Sequence, residues 1–412
     1  MTIRSHKICL RPTPKQARAF TQAVGNARFA YNWALAQWQA EYEAGGKPNE
    51  GALRRELNAV KREKFAFLTL SPKAVVQQAV KNLGAAYDRF FKAQKGGAKS
   101  GYPRFKKRGA RDSARLDNGP GTFEVHDSHV KLPRYGRVKT HEALRFKGEP
   151  ISATLSREGE RWFLSVSVKL FAPMPSASES QGRAGIDLGV KTAVVTSDGR
   201  EYHAPKPLKK GLRKMRRLNK SLSRKRKGSR NREKARQRLS RLHWRIAQIR
   251  SDWAHKTSRS IANAYGTVFM EDLNVSGMKK VRSLARAISD VGMGELRRQL
   301  CYKTNVVFVS RWFPSSQLCS ECGTQNKALT LAEREWTCPC GAAHCRDRNA
   351  AINIFREGER VAKDLAGKPA TIPRVTRKFK PVETSASTPA ARRAQAGSVK
   401  QEPERFYVLH KS

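Results

Sequence analysis

The sequence predicts an α+β chain of several units: a small antiparallel β-barrel or sandwich with a helical unit inserted in it, then an α/β unit interrupted by a cysteine ribbon. Three observations carry that expectation. Helical spacing fills most of the first ninety residues but follows a strand-like start. Short alternating runs rich in Gly and Pro then occupy about 96–170. From residue 184 onward apolar strands alternate with long helical patterns, and five of the seven cysteines crowd between Cys319 and Cys345. A length of 412 residues suits two to four units.

Residues 1–10 read as a strand through Ile3, Ile8 and Leu10. Thr13-Pro14 opens a helix over 15–42, because proline is favoured at the first helical position. Its apolar face holds Phe20, Val24, Ala27, Tyr31, Leu35 and Trp38, and Gly45-Gly46 stops it. Further helices are predicted at 51–64 and 72–94, the latter with Val76, Val80, Leu83, Tyr87 and Phe91 on one face. Strands 151–156 and 161–169 flank a hairpin turn at Arg157–Glu160. The first strand belongs with them, which makes the helices an insertion. Residues 172–183 read as a linker. Strand, turn and strand span 184–199. Two antiparallel basic helices fill 206–262 around a turn at Arg224–Arg232, with Leu239, Leu242, Ile246, Ile249 and Trp253 on the second. Strand 267–270, helix 291–304, strand 305–309 and helix 348–365 follow. The tail beyond about 368 has no periodicity and predicts disorder.

Lys and Arg number 83 against 34 acids, a net charge of +49. That self-repulsion argues against an enzyme acting on small molecules and for a polyanionic partner, nucleic acid above a membrane surface. The start is polar, and no run of about 20 apolar residues could span a bilayer. The cysteine clustering points to a metal site in a reducing compartment rather than a disulfide framework. Cys9 and Cys301, isolated among apolar residues, read as buried structural thiols.

Three acids sit at element boundaries. Asp187 lies in Gly185-Ile-Asp-Leu-Gly189, Glu271 ends the apolar strand Thr267–Met270, and Asp347 opens the last helix. An acid between Ile and Leu is costly unless paired or bound to metal. Carboxylates hold Mg²⁺ pairs that clamp the attacking and leaving oxygens of a phosphodiester. Singly, each has a structural reading: Asp347 as a helix-start acid, Glu271 as a strand-end charge, Asp187 as a partner of one of many lysines. Their combination on a basic chain favours metal-dependent nuclease chemistry.

Cys319-x-x-Cys322-Gly323 and Cys338-Pro-Cys340-Gly341 provide four thiolates for one structural, tetrahedral Zn²⁺. The second pair is one residue short, so His344 or Cys345 competes with Cys340 as the last ligand. A closed site of this kind leaves no open position for catalysis. Residues 206–250 carry cations on nearly every turn with Glu233 the lone acid, a pattern suited to phosphate contact. In the segment 101–109, Tyr102 and Phe105 interleave with Lys106–Arg108, a pattern equally suited to base stacking or to a sheet core.

These motifs resemble TnpB, the family of transposon-encoded RNA-guided DNA nucleases related to type V CRISPR effectors. The matching segments are Gly185–Gly189, Met270–Asn274 with Gly277-Met278, Phe313–Gly323, Trp336–Cys338 and Arg346–Ile354, and near the N-terminus Gly25–Arg28, Tyr31-Asn32, Lys81–Leu83, Tyr87 and Phe90-Phe91. The resemblance covers roughly residues 1–366. It implies a wedge barrel formed by 1–10 and 96–180, a recognition unit at 11–95, an RNase H-like (RuvC) nuclease domain at 181–317 and 347–366, a zinc ribbon at 318–346 and a disordered tail at 367–412. It implies an endonuclease that cleaves DNA paired to a guide RNA, next to a short flanking motif. It implies Asp187, Glu271 and Asp347 as catalytic ligands of two Mg²⁺ or Mn²⁺ ions, and Lys73 and Gln77 near the flanking DNA. Guide RNA from the transposon end and double-stranded DNA are the implied partners of a monomer in the prokaryotic cytoplasm, at the nucleoid. One departure stands out: His344-Cys345-Arg346-Asp347 has cysteine where the family has its first acid. The alternative function is a nuclease-inactive, RNA-guided DNA binder acting as a repressor. A DNA-joining transposase lacks a persuasive Tyr or Ser nucleophile.

Overall fold

The first strand, β1 (Ile3–Arg11), leads through Thr13 into α1 (Pro14–Glu43). Thr13 and Gln16 form a reciprocal capping box, so the helix starts where an unpaired backbone donor finds a side-chain oxygen. This geometry comes from a computed structural model that describes residues 3–97, 100–109, 112–116, 122–171, 182–330 and 333–366. The expected linker at 172–183, save its last two residues, and the tail beyond 366 lie outside the described residues.

α2 (Glu50–Val60), capped by Asn49, ends earlier than the spacing predicts; turns and a short 3-10 helix (Ala66–Leu70) lead into α3 (Lys73–Lys95). α1 and α3 pack face to face, with Trp38 stacked on Tyr87 at 4.1 Å between ring centroids. Phe91, placed on that face by periodicity, is instead largely exposed.

Six strands complete the first sheet: β2 (Ser113–Arg115), β3 (Glu124–Val125), β4 (His129–Leu132), β5 (Gly136–Thr140), β6 (Gly148–Glu158) and β7 (Arg161–Leu170). Their order is β2-β6-β7-β1-β5-β4-β3, antiparallel throughout. β1 thus lies in mid-sheet while the three helices leave and return, as an insertion requires. The expected barrel is corrected: the sheet is open, and no ladder joins β2 to β3 among the described residues. Closure needs long tilted strands with a fixed stagger, and these edges are only three and two residues long. Helices and sheet share one core, where Phe20 of α1 packs edge-on against Tyr135 and Trp162.

The second sheet runs β10-β9-β8-β11-β12. It contains β8 (Arg183–Asp187), β9 (Val194–Thr196), β10 (Glu201–Tyr202), β11 (Thr267–Glu271) and β12 (Asn305–Val309). β8, β11 and β12 are parallel; β9 and β10 are antiparallel to their neighbours. Between β10 and β11 stand α4 (Pro207–Ser223) and α5 (Arg230–Ala264), packed on one another. α6 (Val275–Met278), α7 (Arg282–Val291) and α8 (Met293–Lys303) bridge β11 to β12. α8 fits the helix expected at 291–304; α7 precedes it, and the two are separated at Gly292, whose φ of +78° is a left-handed conformation that glycine tolerates best. A hairpin, β13 (Glu335–Thr337) and β14 (Ala343–Cys345), precedes α9 (Arg346–Ala366).

α9 lies across β8 and β11. Two glycines permit the approach. A Cβ on Gly185 would stand 2.1 Å from the Ala351 carbonyl oxygen, and one on Gly358 would stand 2.2 Å from the Phe269 ring. Arg183 also donates two hydrogen bonds from one nitrogen to the Glu359 carboxylate, at 2.9 and 2.7 Å. Cys9 and Cys301 are half-buried rather than fully buried. Among the described residues no helix is long and apolar enough to cross a membrane.

Candidate active site

Parallel pairing of β8 with β11 places Met270 beside Ile186. Asp187 and Glu271, the next residues, therefore emerge together at the carboxyl ends of neighbouring strands, where open α/β sheets form their clefts. Asp347 sits in the first turn of α9, the helix pressed onto these strands. All three acids keep partial access to solvent. Burial, reinforced by the charges of Glu271 and Asp347, pushes the Asp187 carboxyl up to about 7. Burial likewise raises Glu271, opposed by a 2.6 Å hydrogen bond that the Ser315 hydroxyl donates to its Oε1. A buried acid whose affinity for protons is raised further by two neighbouring carboxylates makes a site suited to cations.

The acids are looser than the cysteines. Asp347 is held by Arg334, whose Nη1 donates to its Oδ1 at 2.8 Å. The guanidinium also opposes the rise at Asp187. Next to Glu271, Asp272 pairs with both Arg297 and Arg311 and so faces its own cations.

Cys319, Cys322, Cys338 and Cys340 converge with all four sulfurs within 4.8 Å of one another. Cys319 Sγ is 3.7 Å from Cys340 Sγ, and Cys322 Sγ is 3.6 Å from Cys338 Sγ. Four thiolates about 2.3 Å from one zinc stand roughly 3.8 Å apart at the corners of a tetrahedron, so this donor set fits zinc. Hydrogen bonding with Thr324 holds the Cys322 thiol down to about 6, toward the thiolate a metal needs. The shortened Cys338-Pro-Cys340 turn therefore reaches the cluster. His344 stands behind it, its Nε2 3.0 Å from Cys319 Sγ. Cys345, one residue on along β14, is exposed, because neighbouring strand residues point to opposite faces.

Sequence reasoning missed the groups that support these clusters. Asn349 and Asn353, both buried on α9, donate to the Leu318 carbonyl at 2.6 and 2.7 Å. Asn353 also donates to the Ser315 carbonyl at 2.8 Å, and Asn349 accepts from the Ser320 amide at 2.9 Å. Two amides four residues apart on a helix face that also carries Ala350 and Ile354 were the available signal. Lys73 is exposed at the start of α3 with Gln77 one turn along, and Lys61 and Arg62 add charge nearby. Tyr102 divides its roles: its hydroxyl meets that of Tyr87 at 2.9 Å, yet its ring is partly exposed. Lys106 lies over the Tyr31 ring.

Three family models match the chain: a helix-turn-helix domain over 1–47, a probable transposase over 163–282, and a Cas12f1-like TNB domain over 294–354. A putative RNA-guided DNA endonuclease of Streptomyces pristinaespiralis is 35% identical, with 86% of this chain and 89% of the relative covered. A second, InsQ of Escherichia coli strain K12, is 31% identical over 87% and 93%. The chain belongs to the TnpB family. A solved Cas12f1 complex with guide RNA and target DNA shares its fold at a TM-score of 0.54 and 16% identity, covering 83% of each chain. The five-stranded sheet with α9 is accordingly part of a mixed α+β fold like that of the Cas12f1 structure, and a zinc-type cysteine cluster adjoins it.

Proposed function

We propose that this chain is an RNA-guided, metal-dependent DNA endonuclease, encoded by a transposon, that cleaves DNA paired to its guide beside a short flanking motif. The carrying observation is that Asp187 and Glu271 stand at the ends of adjoining parallel strands with Asp347 on the helix packed across them, where two of them raise the third. Bound there, Mg²⁺ or Mn²⁺ would stabilise charge on the phosphate and lower the pKa of the attacking water. The chain's own work is positional. β8 and β11 fix Asp187 and Glu271 on a rigid edge, Ser315 orients Glu271, and α9 brings Asp347 against them. Relatives named as RNA-guided DNA endonucleases support the activity and the RNA and DNA partners.

In this reading residues 11–95 form the recognition unit, with Lys73 and Gln77 touching the flanking DNA. Residues 1–10 and 96–180 form a wedge, 181–317 and 347–366 the nuclease, and 318–346 a ribbon holding one structural Zn²⁺ on Cys319, Cys322, Cys338 and Cys340. The working form is a monomer on RNA in the prokaryotic cytoplasm, near the nucleoid. A nuclease-inactive repressor would be expected to have lost an acid, and all three are present.

The test is cleavage of DNA matching the RNA that copurifies with the chain. Asp187→Ala is expected to abolish cleavage, by at least about a thousandfold, while RNA binding persists. Cleavage by that variant at the wild-type rate would remove the assignment. Elemental analysis should return about one zinc per chain, lost on Cys319→Ser.

A further inference from the structure

We infer that Ser315 is a positioning residue for Glu271, and that its loop couples the cysteine cluster to the acid cleft. The inference rests on the nuclease reading of the three acids. Residues 314–320 form a short span with a functional contact near each end. Near its start the Ser315 hydroxyl donates to Glu271 Oε1 at 2.6 Å. Near its end Cys319 enters the sulfur cluster. Between them the backbone is held by α9: Asn353 grips the Ser315 and Leu318 carbonyls, Asn349 grips Leu318 and the Ser320 amide, and Arg356 donates to the Ser320 carbonyl.

These contacts are buried. Ser315, Ser320, Asn349 and Asn353 are each at most 6% exposed, and Cys319 is 1% exposed. A buried side-chain amide that satisfies two carbonyls fixes the loop's path, since moving either carbonyl would leave a polar group unpaired. With its backbone fixed, Ser315 has one carboxylate oxygen of Glu271 to donate to. That leaves Oε2 with no Ser315 bond and limits the rotamers open to the carboxylate. The same helix presents Asp347 two residues before Asn349, so one rigid element sets the third acid and the loop that aims the second. The cysteine cluster then fastens the far side of the loop. Hydrogen-bonded partners of ligating groups commonly alter metal affinity or activity 10–100-fold when removed.

The experiment measures Mn²⁺ binding to the full chain by electron paramagnetic resonance, with Asp187→Ala subtracted to isolate binding at the acids. Ser315→Ala is expected to weaken that binding by about tenfold or more, while zinc content and melting temperature stay near wild type. Its cleavage defect should fall on kcat more than on KM for DNA and should recede at high Mn²⁺. Ser315→Thr, which keeps a hydroxyl, should recover most of the affinity. Cys340→Ser, which disrupts the cluster from outside the 314–320 span, should also weaken Mn²⁺ binding. Wild-type affinity in Ser315→Ala overturns the positioning role. Wild-type affinity in a zinc-depleted Cys340→Ser overturns the coupling. Wild type binding no more Mn²⁺ than Asp187→Ala overturns the acid-site reading itself, and the inference with it.

Discussion

Asp187 shows how much one residue's setting contributes. Its carboxyl is raised to about 7 by burial and by Glu271 and Asp347, whereas an unfolded aspartate titrates near 3.9. Between those values the metal-free folded chain holds a proton that the unfolded chain has released. Folding then takes up a proton, so stability falls as pH rises through this window, by at most about 1.4 kcal/mol per unit. Asp187→Asn removes the dependence. In metal-free buffer at pH 8 the variant should be more stable than wild type by roughly 2–4 kcal/mol in urea denaturation, with the gap closing toward pH 4. A variant that is less stable at pH 8 would show that Asp187 is satisfied by something other than a cation. The acid's neighbours, Ile186 and Leu188, announced a costly position. They could not announce that Ser315 and Arg334 attend the other two acids, because those contacts cross 44 and 13 residues of chain.

At the scale of elements, the basic helices 206–262 were legible from spacing alone, and α4 and α5 fall where the pattern put them. How α4 starts was not. Lys206 stands at its cap in a left-handed conformation and offers no side-chain acceptor. The acceptor comes from α7: Asp290 takes hydrogen bonds from the Leu208 and Lys209 amides, both at 2.8 Å. Asp290 is 3% exposed, so its negative charge is matched by the helix start and by Arg250, which also binds the adjacent Ser289 carbonyl at 2.5 Å. Asp290→Ala should therefore cost about 1–3 kcal/mol by denaturant titration, more than an ordinary cap, because two helix-start amides lose their shared acceptor. A loss under about 0.3 kcal/mol would show that water replaces the carboxylate. The open first sheet belongs to this scale too. Alternation identified β6 and β7, but closure depends on how long the edge strands run, and alternation carries no information about that.

At the scale of the molecule the net charge of +49 dominates. The exposed face of α4 alone presents Lys209, Lys210, Arg213, Lys214, Arg216, Arg217 and Lys220. Repulsion along such a face opposes folding until a polyanion relieves it. RNA affinity should accordingly fall linearly on a log–log plot against salt, with a slope of about −0.7 per phosphate neutralised on single strands. Filter binding at several salt concentrations checks this, and a slope near zero would contradict phosphate contact. Charge-reversing three of the α4 cations should flatten the slope and leave the melting temperature of the free chain equal or higher.

The sequence by itself determined most element types, the placing of three acids at element boundaries, the clustering of cysteines and the strongly cationic character of the chain. Each is carried by local spacing or by composition, which survive without a fold. Only the tertiary structure decided that Cys340 and not Cys345 joins the sulfur cluster, since that turns on which face of β14 points inward. It also decided that Asp347 meets Asp187 at all. That meeting requires α9 to lie almost against β8, and the requirement is met where Gly185 lacks the Cβ that would collide with Ala351. Close packing between distant segments is fixed by shape, and shape exists only once the chain has folded.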